Sequence, residues 1–183
     1  YFEPILDRVV YESPVVRIEY DGERPVAIDE HGIRHGGDAI LVTVSVAVLR
    51  DEIIEFEPPL PEEKVLAFNT IGMGPSMKVV LRFSEAFWDV DRMFGLVVDG
   101  PTQMCWTPGL VRESATNNVL VCFTNGEKAE YMQSLGEEGI LLAALTDLDE
   151  MFGEESDATP ATTRFEEGVI QDWDTEPYIR GAY

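Results

Sequence analysis

The sequence predicts an α+β fold, an antiparallel or mixed sheet flanked by helices, and three observations predict it. Short runs rich in Val, Ile, Leu and Phe recur between Gly, Pro and Asp turn signals at residues 15–20, 25–29, 78–83, 94–98, 103–106, 118–123 and 165–173. One longer segment, 137–152, carries Ile140, Leu141, Ala144, Leu145, Leu148 and Met151 on a single helical stripe. The 183 residues, 45% hydrophobic and 10% aromatic, have an ordinary globular composition. A chain of that length buries roughly 70% of its unfolded surface, so neither a metal nor a disulfide is required.

The first 50 residues read as a β-meander. Pro14 opens the run 15–20, Asp21-Gly22 marks a turn, 25–29 is a second strand, and His31-Gly32 turns the chain into a short third one. Residues 39–44, Ala39-Ile40-Leu41-Val42-Thr43-Val44, form a nearly continuous apolar run, the pattern of a strand buried on both faces of a parallel sheet. Pro58-Pro59-Leu60-Pro61 breaks the chain before a helix over 62–71, whose Glu62 and Glu63 suit its positive end. Gly72 and Gly74 stop it. Strands then alternate with turns up to residue 123. Two helices follow, 126–135 and 137–152, with Gly153 as the stop signal of the second. Residues 154–163 are polar and loop-like, and 165–173 return to strand.

Thirteen basic and 35 acidic residues give a net charge of −22. Such a field repels nucleic-acid phosphates and anionic lipid and concentrates small cations, although an ordinary acidic solvated surface is the better account of the charge itself. No apolar run approaches the roughly 20 residues of a membrane span. Cys105 and Cys122 form no C-x-x-C, and His31 and His35 both fall in a turn region, so no metal site is expected. Two cysteines in a chain this long fit a reducing compartment. Tyr1 and the closing Gly181-Ala182-Tyr183 predict an internal piece of a longer chain.

Lys78 opens an apolar strand after a Gly-rich loop. Two roles are open to it: a charge guarding a sheet edge, or a buried amine used in proton chemistry. Trp173, Tyr178 and Tyr183 lie on a segment that either caps the core or forms an aromatic wall for a cation. Gly72-x-Gly74 is no dinucleotide fingerprint, because it lacks the third glycine and follows a helix.

Four segments in order carry a family resemblance. Ala39 to Leu49 resembles a strand followed by a Thr-x-Pro-x-Gly-Val-Leu turn, and Phe56-Glu57-Pro58-Pro59-Leu60-Pro61-Glu62-Glu63-Lys64 resembles Phe-x-Pro-Pro-Leu-Pro-x-x-Lys. Residues 71–83 with Phe87-Trp88 resemble Gly-x-Gly-x-x-x-Lys-Val and a Phe-Trp pair. Residues 173–183 resemble Trp-x-x-Asp-Pro-x-x-x-Gly-x-Tyr. Together they are similar to the flavin-containing amine oxidases, the family of polyamine oxidases, monoamine oxidases and lysine-specific histone demethylases.

That resemblance implies a substrate-binding domain over 51–170, cofactor-domain strands over 1–50 and a return segment over 171–183. It implies FAD as cofactor and a small cationic amine, of polyamine type, as substrate. Lys78 would hold a water beside the flavin. Trp173 and Tyr178 would lie along the ring, Tyr183 would wall the substrate amine, and Val15, Thr43 and Ser45 would contact the cofactor. Ser45 and Ala47 depart from the family's Pro and Gly, and Glu176 from its Asp. The glycine fingerprint and the Gly-Glu segment that grip the phosphates are not in this sequence. The chain alone is therefore expected to bind FAD weakly, to be inactive, and to self-associate through surface that a cofactor domain would cover.

Overall fold

The computed structural model describes residues 3–89, 96–97, 99–108 and 118–182. Contacts divide the chain into two compact units, Tyr1–Gly72 and Met73–Tyr183.

The first unit starts with an exposed 3-10 helix, Glu3–Arg8, and the expected meander of β1 (Val15–Glu19), β2 (Val26–Asp29) and β3 (Arg34–Gly36). Gly32 makes the tight turn between β2 and β3 at φ +77°, a conformation that costs glycine nothing. A fourth strand, β4 (Glu55–Glu57), pairs in parallel with β1, giving the order β3-β2-β1-β4. Its small core joins Ile18, Val48 and Ile54 with Val15, Ala27, Ile40, Ile53 and Phe56 packed around them. Helix α2 (Glu62–Thr70) falls where Pro61 and the two glutamates predict it, yet buries none of its residues.

The run 39–44 is not a buried strand. It is irregular, and Leu41 is 87% exposed. A strand buried on both faces needs ladder partners and cover on each side, and the described residues supply neither. Helix α1 (Val46–Arg50) begins directly after it, where the turn was expected, with the Ser45 side chain accepting the Val48 N–H as N-cap.

The second unit is a five-stranded antiparallel sheet, β6-β7-β8-β5-β9, built from β5 (Ser76–Phe83), β6 (Leu96–Val97), β7 (Met104–Trp106), β8 (Val119–Asn125) and β9 (Phe165–Asp172). Residues 94, 95 and 98 of the expected 94–98 strand lie outside the described residues. Alternation along β5 sends Met77, Val79, Leu81 and Phe83 to one face. There they meet α3 (Gly126–Ser134) and α4 (Gly136–Phe152) through Met132, Ile140, Ala144, Leu145 and Leu148. Phe83, Phe87 and Trp88 close one end of this core with edge-to-face contacts. The polar stretch after Gly153 contains a short helix, α5 (Pro160–Arg164), that composition alone does not show. It is held from outside, by Asp149 accepting from the N–H groups of Ala161 and Thr162.

Cys105 and Cys122 are not free thiols. The β7–β8 register sets them opposite each other with Cα atoms 4.0 Å apart, and they form a disulfide buried on the core face. A spacing of 17 residues cannot reveal that register, and the bond removes the argument for a reducing compartment.

Candidate functional site

The sheet of the second unit has a second face, opposite its core, and the chemistry gathers there. Because directly paired residues share a face, the β5–β8–β7 register puts Lys78 beside Phe123, Phe123 beside Met104, and Trp106 one step along. The segment after β9 then folds back over them. The Trp173 N–H donates to the Ser76 carbonyl at 3.0 Å, the Gly181 N–H to the Trp173 carbonyl at 2.7 Å, and the Ala182 N–H to the Gly74 carbonyl at 2.8 Å. Gly181 permits this return: its φ is +120°, and a Cβ there would stand 2.8 Å from the Gly74 oxygen.

The result is an open hollow of about 350 Å³ lined by Ser76, Lys78, Met104, Trp106, Phe123, Trp173, Gly181 and Ala182. The Lys78 ammonium stands 6.0 Å from the centroid of Trp106 and 5.9 Å from that of Trp173. Both distances fall within the range in which an aromatic face attracts a cation. Lys78 is half-buried and forms no ion pair among the described residues, in a chain of net charge −22. Nor does it guard an edge, since β5 lies between β8 and β9.

Of the residues singled out from sequence, Lys78 and Trp173 come together in this hollow. Tyr178 is 58% exposed and is not among its lining residues, and Tyr183 lies outside the described residues. Val15, Thr43 and Ser45 belong to the first unit. Val15 is half-buried at the start of β1, Thr43 is exposed on the irregular segment, and the Ser45 hydroxyl is engaged as the cap of α1. Trp106, Phe123, Met104 and Ser76 escaped notice because each is placed by strand pairing. The alternation Met104-Cys105-Trp106 is the available signal, since on a strand it sets Met104 and Trp106 on one face. Among the described residues no three His, Cys, Asp or Glu side chains cluster as a metal site, and no helix is long and apolar enough to cross a membrane.

Comparison with known proteins gives the family. The family of flavin containing amine oxidoreductases matches residues 5–183, and the chain belongs to that family. It is 30% identical over 176 residues to lysine-specific histone demethylase 1B of Mus musculus, covering 94% of this chain and 21% of that protein. It is also 30% identical over 204 residues to the peroxisomal N(1)-acetyl-spermine/spermidine oxidase of Homo sapiens, covering 97% of this chain and 39% of that one. The chain thus spans well under half the length of these relatives. Among solved structures, a wild-type putrescine oxidase bound to putrescine superposes with a TM-score of 0.77 at 22% identity, over 99% of this chain and 38% of the other. That likeness carries the fold.

The hollow suits one end of a flavin by its chemistry. Trp173 and Trp106 offer flat apolar surface, Lys78 offers a donor beside it, and Gly181 keeps a side chain out of the return segment.

Proposed function

We propose that this chain is the substrate-binding part of an FAD-dependent amine oxidase acting on polyamine-type amines. The observation that carries it is Lys78 standing between Trp106 and Trp173 in one hollow. Within this proposal residues 1–50 contribute strands to the cofactor half, 51–170 form the substrate half, and 171–183 return toward the flavin. The flavin, when bound, supplies the hydride acceptor that turns the amine into an imine, with oxygen then reduced to hydrogen peroxide.

The chain's own residues prepare the site. Trp106, Trp173, Phe123 and Met104 supply an apolar wall against which the carbon stem of the amine can pack. Lys78, beside that wall, takes the role that family resemblance gives it, holding a water and handling a proton next to the flavin. Farther out, the −22 field draws polycations toward the protein. Tyr178 and Tyr183 are assigned to the flavin and substrate sides by family resemblance, as are Val15, Thr43 and Ser45 on the cofactor side. The isolated chain is proposed to hold FAD weakly and to be inactive.

The test is an amine panel with peroxide detection on the complete parent protein. Polyamines are expected to turn over, and Lys78→Met is expected to slow turnover by about 10²-fold or more, the low end of what a positioned proton-handling group contributes. An absence of peroxide with every amine, despite bound flavin, overturns the assignment. It would favour the second possibility, a binding module with a vestigial site, which the use of Ser45 as a helix cap supports.

A further inference from the structure

One polar atom of the hollow is left without a partner among the described residues. Ser76 is fully buried, and its hydroxyl has no hydrogen-bond partner among the described residues. A buried hydroxyl without a partner is costly, and such groups in folded proteins are as a rule satisfied by protein or by ordered water. Ser76 also lines the same hollow as Lys78. The two residues are i and i+2 on β5, so they share a face with Cα atoms about 7 Å apart. The backbone around Ser76 is already committed: its carbonyl accepts from Trp173, and the neighbouring Pro75 carbonyl accepts from Gly126. The side-chain hydroxyl is left unused.

We propose that Ser76 and Lys78 form a two-point seat for one water molecule. The ammonium has donors only, whereas the hydroxyl both donates and accepts. A water between them accepts from Lys78 Nζ and exchanges a hydrogen bond with Ser76 Oγ, so the seat meets the usual need of a bound water for two or more polar partners. The hydroxyl fixes where that water stands, and Lys78 keeps it polarised toward the aromatic side of the hollow. This deepens the proposed function, since it assigns a second anchor to the water that family resemblance places on Lys78.

The test uses the chain without flavin, in a thermal double-mutant cycle of Ser76→Ala, Lys78→Met and the double variant, alongside a high-resolution crystal structure. With the seat in place, Ser76→Ala lowers the melting temperature of the tryptophan-reported transition by roughly 2–4 °C. The same change has little effect in the Lys78→Met background, because the shared water is already lost. The crystal structure then shows an oxygen about 2.7–3.2 Å from both Ser76 Oγ and Lys78 Nζ. A Ser76→Ala variant that is equally or more stable, additive single and double effects, or a Ser76 hydroxyl bonded to a protein carbonyl each overturns the seat. Those outcomes leave the oxidase assignment standing. Conversely, a parent protein that makes no peroxide leaves the coupling measurement intact.

Discussion

Asp29 shows how much one carboxylate organises locally. Its side chain accepts from the Ser13 hydroxyl at 2.6 Å and from the N–H groups of Ile33 and His31 at 2.8 and 3.0 Å, and it pairs with His35 Nε2 at 3.3 Å. The Ser13 hydrogen bond, followed by those from Ile33, His35 and His31, holds its carboxyl well below the ordinary carboxylate range, against the opposing effect of burial. A depressed folded-state pKa means that the unfolded chain takes up the proton first as pH falls. The stabilisation is therefore complete above the unfolded value of about 4 and is lost progressively below it. Melting followed by the β-sheet signal of the first unit should fall more steeply from pH 5 to pH 3 in the native chain than in Asp29→Asn. Equal slopes would show that the Asp29 contacts contribute nothing to folding. Nothing about Asp29 stands out in a sequence with 35 acidic residues, because its importance comes from the donors that Ser13, the turn around Gly32 and His35 bring to it. Lys78 and Trp173 were legible for the opposite reason, since each sits in an ordered motif. Their partner Trp106 was not, because only the β7–β8 register carries it to them.

At the scale of elements, periodicity is a reliable guide where an element packs against others among the described residues. The stripe on α4 is an instance: Leu148 is fully buried against β5, while Leu142, on the same helix, is 64% exposed. Leu148→Ala should cost about 2–5 kcal/mol, as cavity-forming changes do, and Leu142→Ala within about 0.5 kcal/mol of zero. Urea denaturation of the two variants checks this, and similar losses for both would mean that the helix is docked on another face. The apolar run 39–44 misled because a run of that kind looks the same whether or not its partner strands are present. The short helix α5 was hidden because Asp149, from another element, supplies its anchor. The Cys105–Cys122 bond is an element-level constraint as well, tying three-residue β7 to β8 across 17 residues of chain. A loop of that size is worth about 3 kcal/mol when closed covalently. A dithiol reductant should therefore lower the denaturation midpoint of the native chain and leave that of a Cys105→Ala/Cys122→Ala variant unchanged. No change in either would show that the bond does not form in solution.

For the molecule as a whole, two surface properties oppose each other. The net charge of −22 pushes copies of the chain apart. Against this stand exposed apolar side chains of the first unit: Leu41 at 87%, Val42 and Val44 on the irregular segment, and Leu66 at 65% on α2, a helix with no buried residue. Apolar surface of this kind promotes association once repulsion is weakened. Salt decides the balance, because the screening length shrinks from about 10 Å at 0.1 M to about 3 Å at 1 M while apolar contacts persist. The isolated chain is thus expected to remain monomeric at low ionic strength and to associate as salt is raised, the reverse of an assembly held by ion pairs. Light scattering across a salt series measures the effect directly. A Leu41→Glu/Leu66→Glu variant should delay association to higher salt, through both the lost apolar area and the added charge. To separate these two contributions, Leu41→Ser/Leu66→Ser removes the area while leaving the charge at −22. If the serine variant associates at the same salt concentration as the native chain, the exposed segment and α2 are not the adhesive surface. A constant monomer mass up to 1 M salt would refute self-association altogether.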